Sequence, residues 1–310
     1  MKRIVFMGTS DFGIPTLRTF YEHHNVAGVV TRCDSPKGRG RQLQPSPIKV
    51  ASQSLGLDVI EAANLTDPEF IERLKGFNAD LFYVVAFRIL PEEVFSLPPD
   101  GTINLHASLL PDYRGAAPIN WAVINGDTET GLTTFFIEKT VDTGDIILNE
   151  TVTIGPDETA GELTARMKIT GANLSLKTVG LIEKGEAHGS KQPSRGNRPA
   201  PRLFKEDGLI DWTKEAKSIH NQVRGMNPAP GAYTKWRKGP LKIHRAKIVE
   251  ELSTGTPGTI IEASPQEGIT IQCGKGSLRI VELQPPGKKA MDSAGFVRGY
   301  RIEKGILLSE

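Results

Sequence analysis

The sequence predicts an α/β protein: a doubly wound, mainly parallel sheet followed by a small C-terminal β-barrel of the oligonucleotide-binding type. Three observations carry that expectation. Up to about residue 130, β-branched apolar runs alternate with helical patterns, the rhythm of parallel strands joined by crossover helices. Residues 81–87 are almost continuously apolar, as expected of a strand buried on both faces. Beyond residue 205 the pattern changes to short strands separated by Gly and Pro, which suits a small barrel.

The elements follow in order. Arg3–Met7 and Asn25–Thr31 read as strands, with a crossover helix over Pro15–His24 between them. Ser46–Leu55 reads as a second helix and Val59-Ile60 as a short strand. Asp67 opens a helix that reaches Phe77, with Pro68 at its first position, where proline's fixed φ and missing N–H are harmless. Leu81–Phe87 and Thr102–His106 follow as strands. Thr133–Glu138 and Asp145–Ile154 form a strand pair around a turn at Asp142-Thr143-Gly144. Thr159–Lys184 is a long amphipathic helix stopped by Gly185. Residues 186–203 hold Pro193, Gly196, Pro199 and Pro201 among Ser, Arg and Asn, the composition of a linker. A helix near Lys214–Arg224 comes next. Five short strands complete the chain: Ala232–Trp236, Leu241–Val249, Gly258–Glu262, Gly268–Gln272 and Ser277–Leu283. The expected division is residues 1–190, a linker at 191–204, and the barrel at 205–310.

Composition narrows the function classes. A chain of 310 residues with 38% hydrophobic and 24% charged residues has material for two packed domains and is not a disordered tail. No apolar run approaches the roughly 20 residues of a membrane span, and the N-terminus lacks a signal peptide's apolar region. Two cysteines, Cys33 and Cys273, argue against a disulfide framework and against a cysteine-based zinc site. The expected setting is the reducing cytoplasm, and the expected form a monomer. The net charge of +2 hides an asymmetry: residues 205–310 carry 17 Lys and Arg against 12 Asp and Glu, while residues 1–204 carry 21 against 24. A basic C-terminal third suits a polyanionic partner, and equally an ordinary solvated surface.

Several stretches could carry chemistry. Gly8-Thr9-Ser10-Asp11-Phe12-Gly13 resembles a dinucleotide fingerprint but has Ser10 where the second glycine belongs, so a structural strand-to-helix turn is the better reading. In Asn104-Leu105-His106, strand alternation puts Asn104 and His106 on one face, at the carboxyl end where open α/β sheets bind ligands. An imidazole beside a carboxamide suits a reaction that moves a proton while an oxyanion develops; polar edge residues are the bland alternative. Asp142-Thr143-Gly144 occurs once, which excludes a two-lobed aspartic protease. It is either an Asp-initiated turn or a carboxylate that holds the imidazole. Lys37-Gly38-Arg39-Gly40-Arg41 lies in a connection, 32–45, that is long for a βα loop and suits a segment closing on phosphates. Lys235-Trp236-Arg237-Lys238 mixes cations with an aromatic, as a nucleic-acid surface or a plain basic hairpin would.

Taken together, Asn104-x-His106, Ser108-Leu109-Leu110-Pro111-x-Tyr113-Arg114-Gly115 and Asp142-Thr143-Gly144-Asp145 resemble the signature of the formyl-tetrahydrofolate-dependent formyltransferases. Gly38-Arg39-Gly40, Pro45-Ser46-Pro47-x-Lys49, Ile210-Asp211-Trp212 and Arg224-x-x-Asn227-Pro228 narrow the resemblance to the branch that acts on tRNA. The resemblance implies the Rossmann-like formyltransferase fold, 10-formyltetrahydrofolate as co-substrate, no metal, and initiator methionyl-tRNA as partner. It assigns catalysis to Asn104, His106 and Asp142 and folate contacts to Ser108, Leu109, Leu110 and Pro111. Together with the two basic stretches, it points to Lys37, Arg39, Arg41, Lys49, Lys235, Arg237 and Lys238 for tRNA. The rival within the class is a formyltransferase acting on a sugar-nucleotide or ribonucleotide amine; from another class, an idle RNA-binding protein on the same scaffold. One departure is Arg88 in Ala86-Phe87-Arg88, where the family pattern has glycine after the aromatic, beside the expected folate pocket.

Overall fold

Ile4, Val5, Phe6 and Met7 are fully buried, so the first apolar run lies inside a sheet as strand β1 (Arg3–Gly8). The computed structural model describes residues 1–37, 42–193, 196, 198–237, 239–249 and 255–308. Strands β2 (Asn25–Thr31), β3 (Val59–Glu61), β4 (Leu81–Val85), β5 (Thr102–His106), β6 (Glu129–Phe136) and β7 (Ile146–Thr153) join β1 in the order β7-β6-β5-β4-β1-β2-β3. The pairings of β1 with β2 and β4, of β2 with β3 and of β4 with β5 are parallel, whereas β6 runs antiparallel to β5. Chain order runs outward from β1 through β2 to β3, then resumes at β4 on β1's other side. That reversal creates the crevice where such sheets bind ligands, beyond the carboxyl ends of β1, β4 and β5.

The helices follow from local chemistry. Ser46 accepts a hydrogen bond from the Lys49 amide at 3.0 Å and starts helix Pro47–Ser54. Asp67 caps helix Pro68–Gly76, as its sequence predicts, and Phe70 and Leu74 of that helix share a core with Val5, Met7, Val30, Phe82 and Val84. Two expectations change. The strand expected over 81–87 ends at Val85, because Ala86 adopts φ +49° and turns the chain out of the sheet. The segment 32–45 contains a hairpin, with Ser35–Lys37 antiparallel to Gln42–Gln44.

The chain divides into two compact units, and the second includes residues 116–129 and 153–163 together with 201–310. Its strands are β8 (Ala232–Trp236), β9 (Gly239–Val249), β10 (Ile260–Ser264), β11 (Gly268–Gln272), β12 (Ser277–Gln284) and β13 (Met291–Asp292). They form one six-stranded antiparallel sheet, ordered β8-β9-β12-β11-β10, with β13 on β12. Among the described residues the sheet ends at β8 and β10, so the expected barrel is seen as an antiparallel sheet. Trp212, Ile219, Val223, Leu241, Ile271, Leu278 and Phe296 fill its core. Helix Ala216–Gly225 lies against helix Pro118–Ile124, which the sequence pattern does not announce. Among the described residues no helix is long and apolar enough to cross a membrane.

Candidate active site

Strand β5 delivers two polar side chains to one face of the sheet. Ile103 and Leu105 are buried on the other face, while Asn104 is half-buried and His106 is 6% exposed. The Asn104 carboxamide makes no hydrogen bond within the described residues, so its donors and acceptor remain available to a ligand. His106 Nε2 lies 2.9 Å from the Tyr113 carbonyl oxygen. A carbonyl only accepts, so Nε2 carries the proton and Nδ1 is the nitrogen that can take up or release one.

The β6–β7 connection brings the third group. Asp142 Oδ1 lies 3.9 Å from His106 Nδ1, and the two side chains are 12% and 7% exposed. Asp142 Oδ2 accepts from the Gly115 amide at 3.1 Å, which fixes the carboxylate's orientation. Asp142 has φ +55°, a left-handed conformation that Asp tolerates better than most residues. Two residues on, a Cβ at Gly144 would lie 1.7 Å from the Phe136 carbonyl oxygen, so the turn admits only glycine there. The Asp-Thr-Gly triplet is thus a turn and also a carboxylate holder. Gly8 has the structural role read from the sequence: a Cβ there would sit 2.9 Å from the Phe6 ring and 3.0 Å from the Val85 carbonyl oxygen.

The loop after β5 is tied down from inside. Ser108 is fully buried, its hydroxyl donates to the Asp112 carbonyl at 2.5 Å, and its own carbonyl accepts from Thr133 Oγ1 at 2.7 Å. Leu110 is buried and its amide donates to Thr133 Oγ1 at 3.2 Å. Leu109 and Pro111 remain half exposed. The arrangement is a strand-end imidazole with a fixed basic nitrogen, a facing carboxylate and a free carboxamide. Such a set can move a proton while stabilising an oxyanion, the requirement for acyl transfer to an amine. Among the described residues no group of three His, Cys, Asp or Glu could hold a metal ion.

Comparison with known proteins decides the family. The profile of the formyl transferase family matches residues 1–179, and that of the formyl transferase C-terminal domain matches residues 202–301. A methionyl-tRNA formyltransferase of Citrifermentans bemidjiense is 46% identical over 310 residues, spanning 99% of this chain and 96% of that one. The chain belongs to the methionyl-tRNA formyltransferase family. A second member, from Porphyromonas gingivalis, is 43% identical over 318 residues, covering 99% of this chain and 98% of its own. The fold recurs in HypX from Aquifex aeolicus, solved with tetrahydrofolic acid, at a TM-score of 0.62 and 19% identity. That match covers 96% of this chain and 47% of HypX, a protein about twice as long.

The basic residues expected to meet tRNA fare unequally in the structure of this formyltransferase. Arg39, Arg41 and Lys238 lie outside the described residues, and Lys37 ends the first strand of the hairpin. Lys49 is engaged within its own unit, 2.5 Å from Glu61 and 2.9 Å from Asp34, and these partners raise its pKa. Lys235 and Arg237 are exposed, and the Arg237 guanidinium lies 4.5 Å from the centre of the Trp236 ring. Arg88 donates to the carbonyls of Ala62 and Ala63 at 2.5 and 2.9 Å, clasping the chain that leaves β3. Tyr113 and Gly115 act on the site through backbone groups, which no residue-type pattern in the sequence could reveal.

Proposed function

We propose that this chain transfers the formyl group of 10-formyltetrahydrofolate to the α-amino group of methionine carried on initiator tRNA. The products are tetrahydrofolate and N-formylmethionyl-tRNA, used to start translation in the cytoplasm. Identity of 46% along 99% of the chain carries the reading, and the strand-end trio supplies chemistry that fits it. The amine's attack on the formyl carbon gives a tetrahedral oxyanion. Asn104 donates to that oxygen from its free carboxamide. His106 exchanges the amine's proton through Nδ1, and Asp142 stabilises the charge the imidazole then carries. The departing folate nitrogen takes the proton back, which balances the transfer.

Residues 1–190 supply the folate and catalytic groups, 191–204 the connection, and 205–310 a tRNA-binding barrel in a monomer. Ser108–Pro111 borders the folate, with Leu109 and Pro111 offering their side chains and Ser108 and Leu110 shaping the loop. Lys37, Arg39, Arg41 and Lys49 lie on the catalytic unit's side of the tRNA. Lys235, Arg237 and Lys238 hold its backbone from the barrel. A substrate comparison tests the reading: charged initiator tRNA, charged elongator tRNA and an amino-sugar nucleotide, each offered with 10-formyltetrahydrofolate. Formylation of the initiator tRNA with little on the others is expected. Preference for the amino sugar would establish the rival formyltransferase.

A further inference from the structure

The segment that reads as a linker makes an unexpected approach to the catalytic turn. Gln192 Nε2 donates to the carbonyl oxygens of Asp142 and Gly144, each at 2.9 Å. Its Oε1 accepts from Arg114 Nη2 at 2.6 Å. The amide orientation is dictated by chemistry: the guanidinium only donates and the two carbonyls only accept, so the side chain fits one way round. A few residues on, the Tyr113 amide donates to the Arg198 carbonyl at 2.6 Å, and Pro199 and Ala200 pair in parallel with Arg114 and Gly115. The same short stretch, 113–115, supplies the carbonyl that holds His106 Nε2 and the amide that holds Asp142 Oδ2.

We infer that Gln192 is a positioning residue for Asp142: by bridging Arg114 to both ends of the Asp142–Gly144 turn, it sets the distance between the carboxylate and His106. The inference rests on the catalytic reading of His106 and Asp142. A residue in the left-handed region, with a long approach to the imidazole, has room to drift. Two hydrogen bonds to the turn's carbonyls remove that freedom without touching substrate. The nominal linker thereby completes the catalytic unit.

The test is a double-mutant cycle on the full-length chain, with single-turnover formylation of methionyl-tRNA as readout. Gln192→Leu removes the bridge, and Gln192→Glu keeps size and the Arg114 contact but faces two carbonyls with a carboxylate. Either change should lower the rate constant by about 10- to 100-fold, the usual cost of losing a residue that orients a reacting group. KM for the folate and for the tRNA should stay within about twofold. In an Asp142→Asn background the same changes should cost nothing further, because the group they position is already gone. Independent, multiplying losses would overturn the proposal, as would a normal rate in Gln192→Leu or a defect confined to KM for tRNA. Failure of both variants to fold would assign Gln192 to stability and overturn it as well. Normal turnover by Asp142→Asn alone would instead sink the catalytic reading itself.

Discussion

Replacing Asp142 by Asn probes the electrostatics of the site with little change in shape. The asparagine oxygen can still accept from the Gly115 amide, so the turn should persist while the negative charge beside His106 disappears. At the 3.9 Å separation of Nδ1 and Oδ1, opposite unit charges attract by about 4 kcal/mol at an effective dielectric of about 20. At about 1.4 kcal/mol per tenfold in rate, that attraction corresponds to roughly 10³-fold, an upper bound because water reaches part of the carboxylate. The rate constant for formylation under saturating single-turnover conditions should therefore fall by about 10²- to 10³-fold, with folate affinity intact. His106→Ala should fall by at least about 10²-fold, because it removes the group that exchanges the amine's proton. A rate for Asp142→Asn within about fivefold of wild type would refute a charge-stabilising role for this carboxylate.

Arg237→Ala should raise KM for tRNA and lower the slope of log affinity against log salt by about one, as for one lost phosphate contact; titration of tRNA at several salt concentrations reads this directly. A fragment ending at residue 204 lacks helix Ala216–Gly225, so Ile119, Ala122 and Val123 on helix Pro118–Ile124 lose their cover. It should bind a hydrophobic dye and melt without a cooperative transition, and a sharp calorimetric peak would show that the first part folds alone. Hydrogen bonds from the Thr159 backbone and the Arg245 side chain lower the pKa of Glu162 from 4.5 to about 2. A depressed carboxyl pKa stabilises the fold above pH 4.5 and loses that contribution as pH falls toward 2. Wild type should thus lose its thermal-stability advantage over Glu162→Gln across that window, measured by melting at stepped pH.

The sequence is most legible where one physical requirement dominates a whole element. The runs at 4–7, 26–30 and 81–85 are apolar on both faces, and all three lie in the parallel part of the sheet. Asp67 and Pro68 specify a helix start by local chemistry, and the helix begins there. Helix Pro118–Ile124 escaped notice because its seven residues give barely two turns, too few for a periodic pattern to show. Helix Ser293–Tyr300 carries Gly295 and Gly299, which read as breakers, yet Asp292 caps it at the Gly295 amide. The hairpin at Ser35–Lys37 and Gln42–Gln44 was hidden by the glycines and cations of the stretch it flanks. At the site, strand alternation foretold that Asn104 and His106 share a face. The approach of Asp142 depends on a turn whose path no local pattern encodes. Gln192 was hidden by the Pro and Gly around it, which resemble a linker because backbone turns and flexible connections draw on the same residues.

In the proposed reaction one site joins a folate formyl group to the α-amine of methionine on tRNA. Its most direct test supplies the enzyme with 10-formyltetrahydrofolate labelled in the formyl carbon and with methionyl initiator tRNA, followed by alkaline release and identification of the amino acid. The label should appear as N-formylmethionine, in step with tetrahydrofolate production, and His106→Ala and Asp142→Asn should slow both together. Label released as formate, or tetrahydrofolate formed at the same rate without methionyl-tRNA, would contradict it.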